Sequence, residues 1–265
     1  MWLRTRCKLN FQADFPTPFI LMLRPRSGPQ QWVAREHYTI TPSVPVTEYT
    51  DVYGNLCQRL ISPIGDFSIS TLADVDVAEQ LAVAPGAPFE EIQTLPDAVL
   101  TYLLPSRYCE SEQFLNMAHE ISGDASPGYD QVARIVEWIR ANVVFNPGSL
   151  LYQVSAVEVN LKREGVCRDL AHLGIALSRA LCIPARMVVG YLHGLQPMDF
   201  HAWFEVFVGG RWYAFDATQD QPRGGRVAVA YGHDAANVAI FTQFGPTLRP
   251  SFMAVSVEAI SQPVE

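Results

Sequence analysis

An α+β protein is what this amino-acid sequence predicts, on three observations. Residues 1–95 carry short apolar–polar alternations broken by turn residues. Residues 111–181 change to the 3.6-residue period of helices. From residue 185 onward alternation returns in sequential strands. Helices followed by mostly neighbouring strands is the order of an α+β fold rather than of alternating βα units. We therefore expect an N-terminal β-sandwich domain over residues 1–100 and a second domain over residues 101–265, in which a buried helix packs on an antiparallel sheet.

Taken in order, the strand signals are Arg4–Phe11, Phe19–Arg24, Glu36–Pro42, Thr47–Asp51, Leu56–Ile61 and Gly65–Val77. Arg4, Arg6 and Lys8 fall on the solvent side of the first. Turn residues separate the runs, among them Phe15-Pro16-Thr17-Pro18 and Tyr53-Gly54-Asn55. Proline and glycine between residues 84 and 106 mark a linker. Helical stripes follow at Ser111–Ser122 and Tyr129–Val143, with Trp138 beside the second stripe as core. Residues 145–153 read as a loop containing Asn146-Pro147-Gly148. Ser155 and Glu158 have capping-box spacing for a short helix ending near Glu164. The next helix, Cys167 to about Leu181, is apolar nearly all round and so belongs at the domain centre, with Cys182 packing at its far end. Strands are expected at Ala185–Tyr191, His201–Val208, Arg211–Ala217, Val227–Tyr231, Ala239–Thr242 and Met253–Glu258.

Composition narrows the function classes. Of 265 residues 49% are apolar and 17% charged, which suits packed cores rather than disorder. A net charge of −8 without a basic run argues against nucleic acid or an anionic membrane as partner. The five cysteines are scattered and form no C-x-x-C, so neither a disulfide framework nor a zinc site is expected. No His or Cys pair has metal-ligand spacing, and Gly224-Gly225 lacks the pattern of a phosphate loop, so no cofactor is expected. Residues 1–25 lack a signal-peptide core and no run of about 18 apolar residues occurs. A reducing cytoplasm, where a free thiol survives, is the expected location.

Chemistry concentrates between Gly165 and Thr218. A thiol is nucleophilic as thiolate, and both a helix N-terminus and a neighbouring imidazolium favour that form. Gly165-Val166 permits a tight turn that places Cys167 in the first helical turn, where backbone N–H groups favour negative charge and are candidates for holding an oxyanion. By itself a cysteine in an apolar helix reads equally well as inert core. A short hairpin loop centred on Gly209-Gly210 would set His201 opposite Thr218 and Trp203 opposite Asp216. His201 and Asp216 then share a face as diagonal neighbours, and the carboxylate fixes the imidazole tautomer. A one-residue slip would turn Asp216 away. His172 lies on a different helix face from Cys167, Asp169 reads as a first-turn charge or structural acceptor, and Glu205 shares the His201 face further along the strand. His193 falls in a loop that lines a cleft in one reading. For a second oxyanion donor, Trp138, Tyr152 and Gln153 are the candidates.

Three segments carry a resemblance: Gly165-Val166-Cys167-Arg168-Asp169-Leu170-Ala171-His172, then Asp199-Phe200-His201-Ala202-Trp203, then Trp212-Tyr213-Ala214-Phe215-Asp216-Ala217-Thr218. Together they resemble the core of the transglutaminase-like superfamily, nearest its bacterial cysteine-protease branch. Residues 1–100, notably Tyr53-Gly54-Asn55 and Arg59-Leu60, are similar to that branch's N-terminal β-domain, and the segment from Gly224 to Gly245 is also similar. The resemblance implies a papain-like core with Cys167 as nucleophile, His201 as base and acid, and Asp216 as the residue that orients it. It implies a thiol-dependent acyl-transfer enzyme acting on a peptide or protein, with hydrolysis of an amide or peptide bond through a thioester favoured. The alternatives are protein-glutamine transglutamination, and a non-catalytic binding protein that keeps the fold. Arg168 and Leu170 stand where many members carry Gln and Phe, and Asn237 replaces a frequent Asp, so substrate preference is left open. No calcium signature is present to carry over.

Overall fold

The fold is that of a computed structural model in which residues 1–147 and 153–263 are described. Its first part consists of β1 (Trp2–Ala13), β2 (Pro18–Arg24), β3 (Gln31–Thr41), β4 (Val46–Thr50), β5 (Leu56–Ile61) and β6 (Gly65–Val77). Strict alternation in β1 turns Leu3, Cys7, Leu9 and Phe11 inward. Two antiparallel sheets face each other across Cys7, Leu9 and Phe11, while Leu3 packs with Tyr191, Val227 and Val229 of the second part. Phe11 stacks on Phe67 at 4.9 Å and meets Phe19 edge-on at 5.5 Å, filling the middle of the sandwich. On the other face of β1, Arg4 grips the buried Asp74 carboxylate with two hydrogen bonds of 2.6 and 2.8 Å.

Chain order and strand order part company at the end of the chain. Strands β13 (Phe241–Gln243) and β14 (Phe252–Ile260) return to the sandwich. The sheets run β14-β1-β6-β3 and β13-β2-β5-β4, with β14 paired along β1 from Trp2↔Ile260 to Asn10↔Phe252. The sequence groups these strands with residues 101–265, yet each extends a sheet built from the first hundred residues. Alternation identifies a strand and its buried face but not its partner, and β1 needs a second neighbour to satisfy its outer backbone groups.

Between the two parts, residues 84–106 pack more closely than a linker. They contain α1 (Asp97–Leu100) between two single 3₁₀ turns, and Leu95, Val99 and Tyr102 are buried. Leu95 and Val99 pack against Phe207, with Leu103 and Trp212 at the margin. Pro88 accepts from Gly209 N–H, so the segment is tied to the hairpin turn.

The second part holds α2 (Leu115–Ser122), α3 (Tyr129–Asn142), α4 (Ala156–Lys162) and α5 (Cys167–Ala180). A short parallel pair, β7 (Val144–Phe145) with β8 (Glu164–Gly165), brackets α4. The expected capping box forms: Ser155 accepts from Glu158 N–H, and Glu158 accepts from Ser155 N–H at 2.9 Å. Helix α5 is buried from Asp169 to Ala180, as its all-round apolar composition requires. It lies on an antiparallel sheet of order β11-β10-β9-β12, made of β9 (Ala185–Leu192), β10 (His201–Val208), β11 (Arg211–Phe215) and β12 (Arg226–Gly232). Gly174 permits the close crossing, because a Cβ there would sit 2.5 Å from the Phe204 ring. Among the described residues no helix is long and apolar enough to cross a membrane.

Two amides of the sandwich close the open edge of this sheet. Gln31 donates to Ala228 O and accepts from Ala228 N–H, both at 2.8 Å. Asn55 does the same for Tyr231, at 2.7 and 2.8 Å. Each side chain imitates a strand residue against β12, covering backbone groups that would otherwise be unpaired. Gln31→Met is therefore expected to destabilise the fold by about 2 kcal/mol or more, by orphaning the buried Ala228 groups. The midpoint of urea unfolding measures this.

Candidate functional site

Cys167 is the first residue of α5, preceded by Val166 in extended backbone with φ −91° and ψ 177°. Val166 O accepts from Asp169 and Leu170 N–H, which starts the helix. The Asp169 carboxylate reaches back to accept from Val166 N–H at 3.1 Å and from Arg168 Nε at 2.9 Å. Asp169 is thus the structural acceptor of the first turn. Cys167 is partly exposed, whereas Cys7, Cys57 and Cys109 are buried. Burial raises the pKa of those three thiols, Cys7 to about 12, and makes them poor nucleophiles. Cys182 does not pack as expected: it is exposed, with φ 58°, just past the end of α5. The helix ends by turning left-handed there, and this swings the side chain outward.

The β10–β11 hairpin has the register on which the site depends. Gly209 and Gly210 take φ of 54° and 78°, the pair of positive values that a two-residue type I′ turn needs. Pairing runs from Val208↔Arg211 to Phe204↔Phe215 and stops there. Just beyond, Asp216 Oδ2 accepts from His201 Nε2 at 2.7 Å. The same oxygen accepts from Arg226 Nη2 at 2.9 Å. Its Oδ1 accepts from Thr218 N–H at 3.0 Å and from Thr218 Oγ1 at 2.7 Å. With Nε2 engaged, Nδ1 is the imidazole nitrogen left for a thiol, and Cys167 is near enough to His201 to favour its charged form.

Electrostatics follow from this packing. Burial works to lower the His201 pKa, but the charge and hydrogen bond of Asp216, with a further contribution from the nearby Cys167, outweigh it and push the imidazole up to about 9. Burial likewise works to raise Asp216, but His201, Arg226 and Thr218 hold the carboxyl well below its ordinary range. A raised histidine stabilises the fold fully below its unfolded value near 6.5 and loses that contribution as pH climbs through about 9. The contribution is on the order of 3 kcal/mol. Melting temperature is expected to fall between pH 7 and 10, and less so in His201→Gln. A pH series of melts on both proteins measures it.

The other candidate residues have structural posts. His172 is fully buried, and burial lowers its pKa to about 4. Neutral, it donates from Nδ1 to Val154 O at 3.0 Å and accepts at Nε2 from Ala235 N–H at 3.2 Å. Glu205 is paired with Arg186, whose guanidinium lies over the Trp212 and Tyr231 rings. His193 is bound through its backbone to Gly225 and Arg223. Trp138 lies under the Arg163 guanidinium, and Gln153 is exposed. Tyr152, with most of the loop around it, falls outside the described residues. Sequence reasoning passed over Arg226, the second cation on Asp216. Its only signal was its place beside Gly224-Gly225 at the head of β12.

Residues 115–217 match the model of the transglutaminase-like superfamily, and residues 16–74 match that of the bacterial transglutaminase-like N-terminal region. The crystal structure of a putative cysteine protease from Cytophaga hutchinsonii is similar, with 34% identity and a TM-score of 0.88, over 100% of this chain and 92% of that one. The protein ML0607 of Mycobacterium leprae is 25% identical over 231 residues, 82% of each chain. Rv2569c of Mycobacterium tuberculosis is 28% identical over 244 residues, covering 82% of this chain and 77% of its own.

Proposed function

This chain belongs to the transglutaminase-like superfamily, and from that premise we propose that it is a thiol-dependent acyl-transfer enzyme hydrolysing amide or peptide bonds. Cys167 is the nucleophile, His201 the proton carrier and Asp216 its orienting partner. The observation that carries the proposal is the 2.7 Å contact of His201 Nε2 with Asp216 Oδ2, with Cys167, the first residue of a buried helix, near enough to the imidazole to favour its charge.

In this reading the Cys167 sulfur bonds to the substrate carbonyl carbon while His201 holds the thiol proton. Charge develops on the carbonyl oxygen beside the first turn of α5, where helix N–H groups and the dipole favour it. The carbon–nitrogen bond then breaks, His201 passes its proton to the leaving amine, and a thioester remains on Cys167. Water, giving its proton to His201, attacks the thioester, and the acid product leaves as the thiol re-forms. Arg226 and Thr218 keep Asp216 ionised and aimed throughout.

Intact-mass analysis after mixing with peptide, glutaminyl and small amide substrates tests the proposal. A thioester adduct is expected on the wild-type protein and none on Cys167→Ala. An adduct that turns over only with an added primary amine would replace hydrolysis by amine transfer. Iodoacetamide labelling across pH is a second check. Cys167 should react faster than the other thiols, and His201→Ala should remove that advantage. Labelling that rises near pH 8.5 in both proteins would leave Cys167 without an activated role.

A further inference from the structure

A cleft of about 910 Å³ lies between the sandwich and the core sheet, behind the Cys167–His201–Asp216 set. One wall is the edge strand β11, which lines it with Arg211, Trp212, Tyr213 and Ala214 in unbroken succession. Another wall is residues 76–82, which run out of β6. The hairpin decides which backbone groups β11 turns outward. With a two-residue turn, Val208 and Arg211 form the first hydrogen-bonded pair, and Val206 with Tyr213 and Phe204 with Phe215 follow at every second residue. Phe207, between these positions, donates to Pro184 O on the β9 side. Its partner Trp212, and Ala214 opposite Glu205, therefore point their N–H and C=O groups away from β10. Those two donors and two acceptors have no hydrogen-bond partner among the described residues, and both residues are only half-buried.

The opposite edge of the same sheet is treated differently. On β12, Gln31 and Asn55 occupy the outward groups of Ala228 and Tyr231. An uncovered edge is a template for another strand, with donors and acceptors at the spacing an extended chain presents. We propose that the cleft docks an extended, unstructured polypeptide segment, which adds to β11 as an antiparallel fifth strand of the core sheet. Alternate residues of the segment exchange a pair of hydrogen bonds with Trp212 and a pair with Ala214. Their side chains lie beside Trp212 and Ala214, so apolar residues suit those positions. A segment of about five residues spans β11, which is itself five residues long. The chain's net charge of −8 disfavours an acidic segment. The docking rests on the backbone of β11 and holds whatever chemistry Cys167 performs.

Amide hydrogen exchange followed by NMR on the full chain tests this. The probe is a capped peptide, Thr-Val-Thr-Val-Thr, and the protein is Cys167→Ala, so that the peptide stays uncut. In the free protein the Trp212 and Ala214 amides should exchange at least about tenfold faster than those of Tyr213 and Phe215, and saturating peptide should remove the difference. Methylating the two valine nitrogens, which face β11, should weaken binding at least about tenfold, whereas methylating the threonine nitrogens should change it less than about threefold. Ala214→Pro deletes one outward donor while sparing the ladder to β10, and should weaken the peptide by about fivefold, with melting temperature as the check on folding. The methylated peptides repeat that test without altering the protein. Slow exchange of Trp212 and Ala214 in dilute free protein would mean that residues 79–82 already cover β11. Protection that grows with protein concentration alone would mean that a second copy does. Either result, equal losses from the two methylated peptides, or no peptide binding would overturn the proposal. Failure here leaves the thioester on Cys167 to be judged by its own experiment.

Discussion

Asp216→Asn is expected to lower kcat/KM by about 10³–10⁴-fold, the effect of an imidazole held in the wrong tautomer. Asp216 Oδ2 receives two donors, His201 Nε2 and Arg226 Nη2. An asparagine either turns its NH₂ toward those donors or gives up its contacts with Thr218. The protonation of His201 should reverse as well. With the carboxylate gone, the largest influence left on the ring is burial, which lowers its pKa. The imidazole that Asp216 pushes up to about 9 should then lose its charge below 6.5, which NMR of the ring protons in both proteins would follow. Unfolding free energy should fall by about 3 kcal/mol, because Arg226 loses its buried partner. Full activity in a folded Asp216→Asn protein would remove Asp216 from the mechanism.

Replacing Arg179 by Met is expected to have the largest effect on stability, on the order of 3–5 kcal/mol. Arg179 lies within α5 at 3% exposure, and burial lowers its pKa without neutralising it. Its Nε and Nη2 donate to Ala185 O, Nη2 also to His233 O, and Nη1 to Leu104 O and Ser106 Oγ. One side chain thus ties the end of the connecting segment, the start of β9 and the turn after β12 to the central helix. Methionine fills similar space but leaves those carbonyls without a donor. A lower denaturant midpoint is expected, with Cys167 alkylation kept in whatever fraction remains folded. A midpoint within about 0.5 kcal/mol of wild type would show that the carbonyls find other donors.

Much of the candidate site is legible in the sequence. Cys167 follows a glycine turn into an apolar helix, and Gly209-Gly210 between two alternating runs specifies a tight hairpin. The loop length stayed open, and with it the side of the strand on which Asp216 falls; the observed two-residue turn places it toward His201. Arg226 was not legible. Arginine before an alternating run reads as a solvent-facing strand end, and only the pairing of β12 with β9 carries it to Asp216. Cys182 was misread because helix-end hydrophobicity suggests packing, whereas the left-handed turn that follows is a matter of backbone geometry. The partners of Gln31 and Asn55 escaped notice for a similar reason: a lone polar side chain in a strand or turn has no signature for a strand edge nearly two hundred residues away.

By itself the sequence determined the α+β order, the burial of α5, the capping at Ser155 and the shared face of an imidazole and a carboxylate. These are written in contacts between near neighbours, where a period of 2 or 3.6 residues decides which side chain faces inward. Tertiary structure decided the rest. It joined β14 to β1, set two sandwich amides on β12, placed Arg226 against Asp216, and opened a cleft behind the site. Those contacts join residues far apart in the chain, and the need to satisfy buried edges and charges selects among partners that local pattern leaves equivalent.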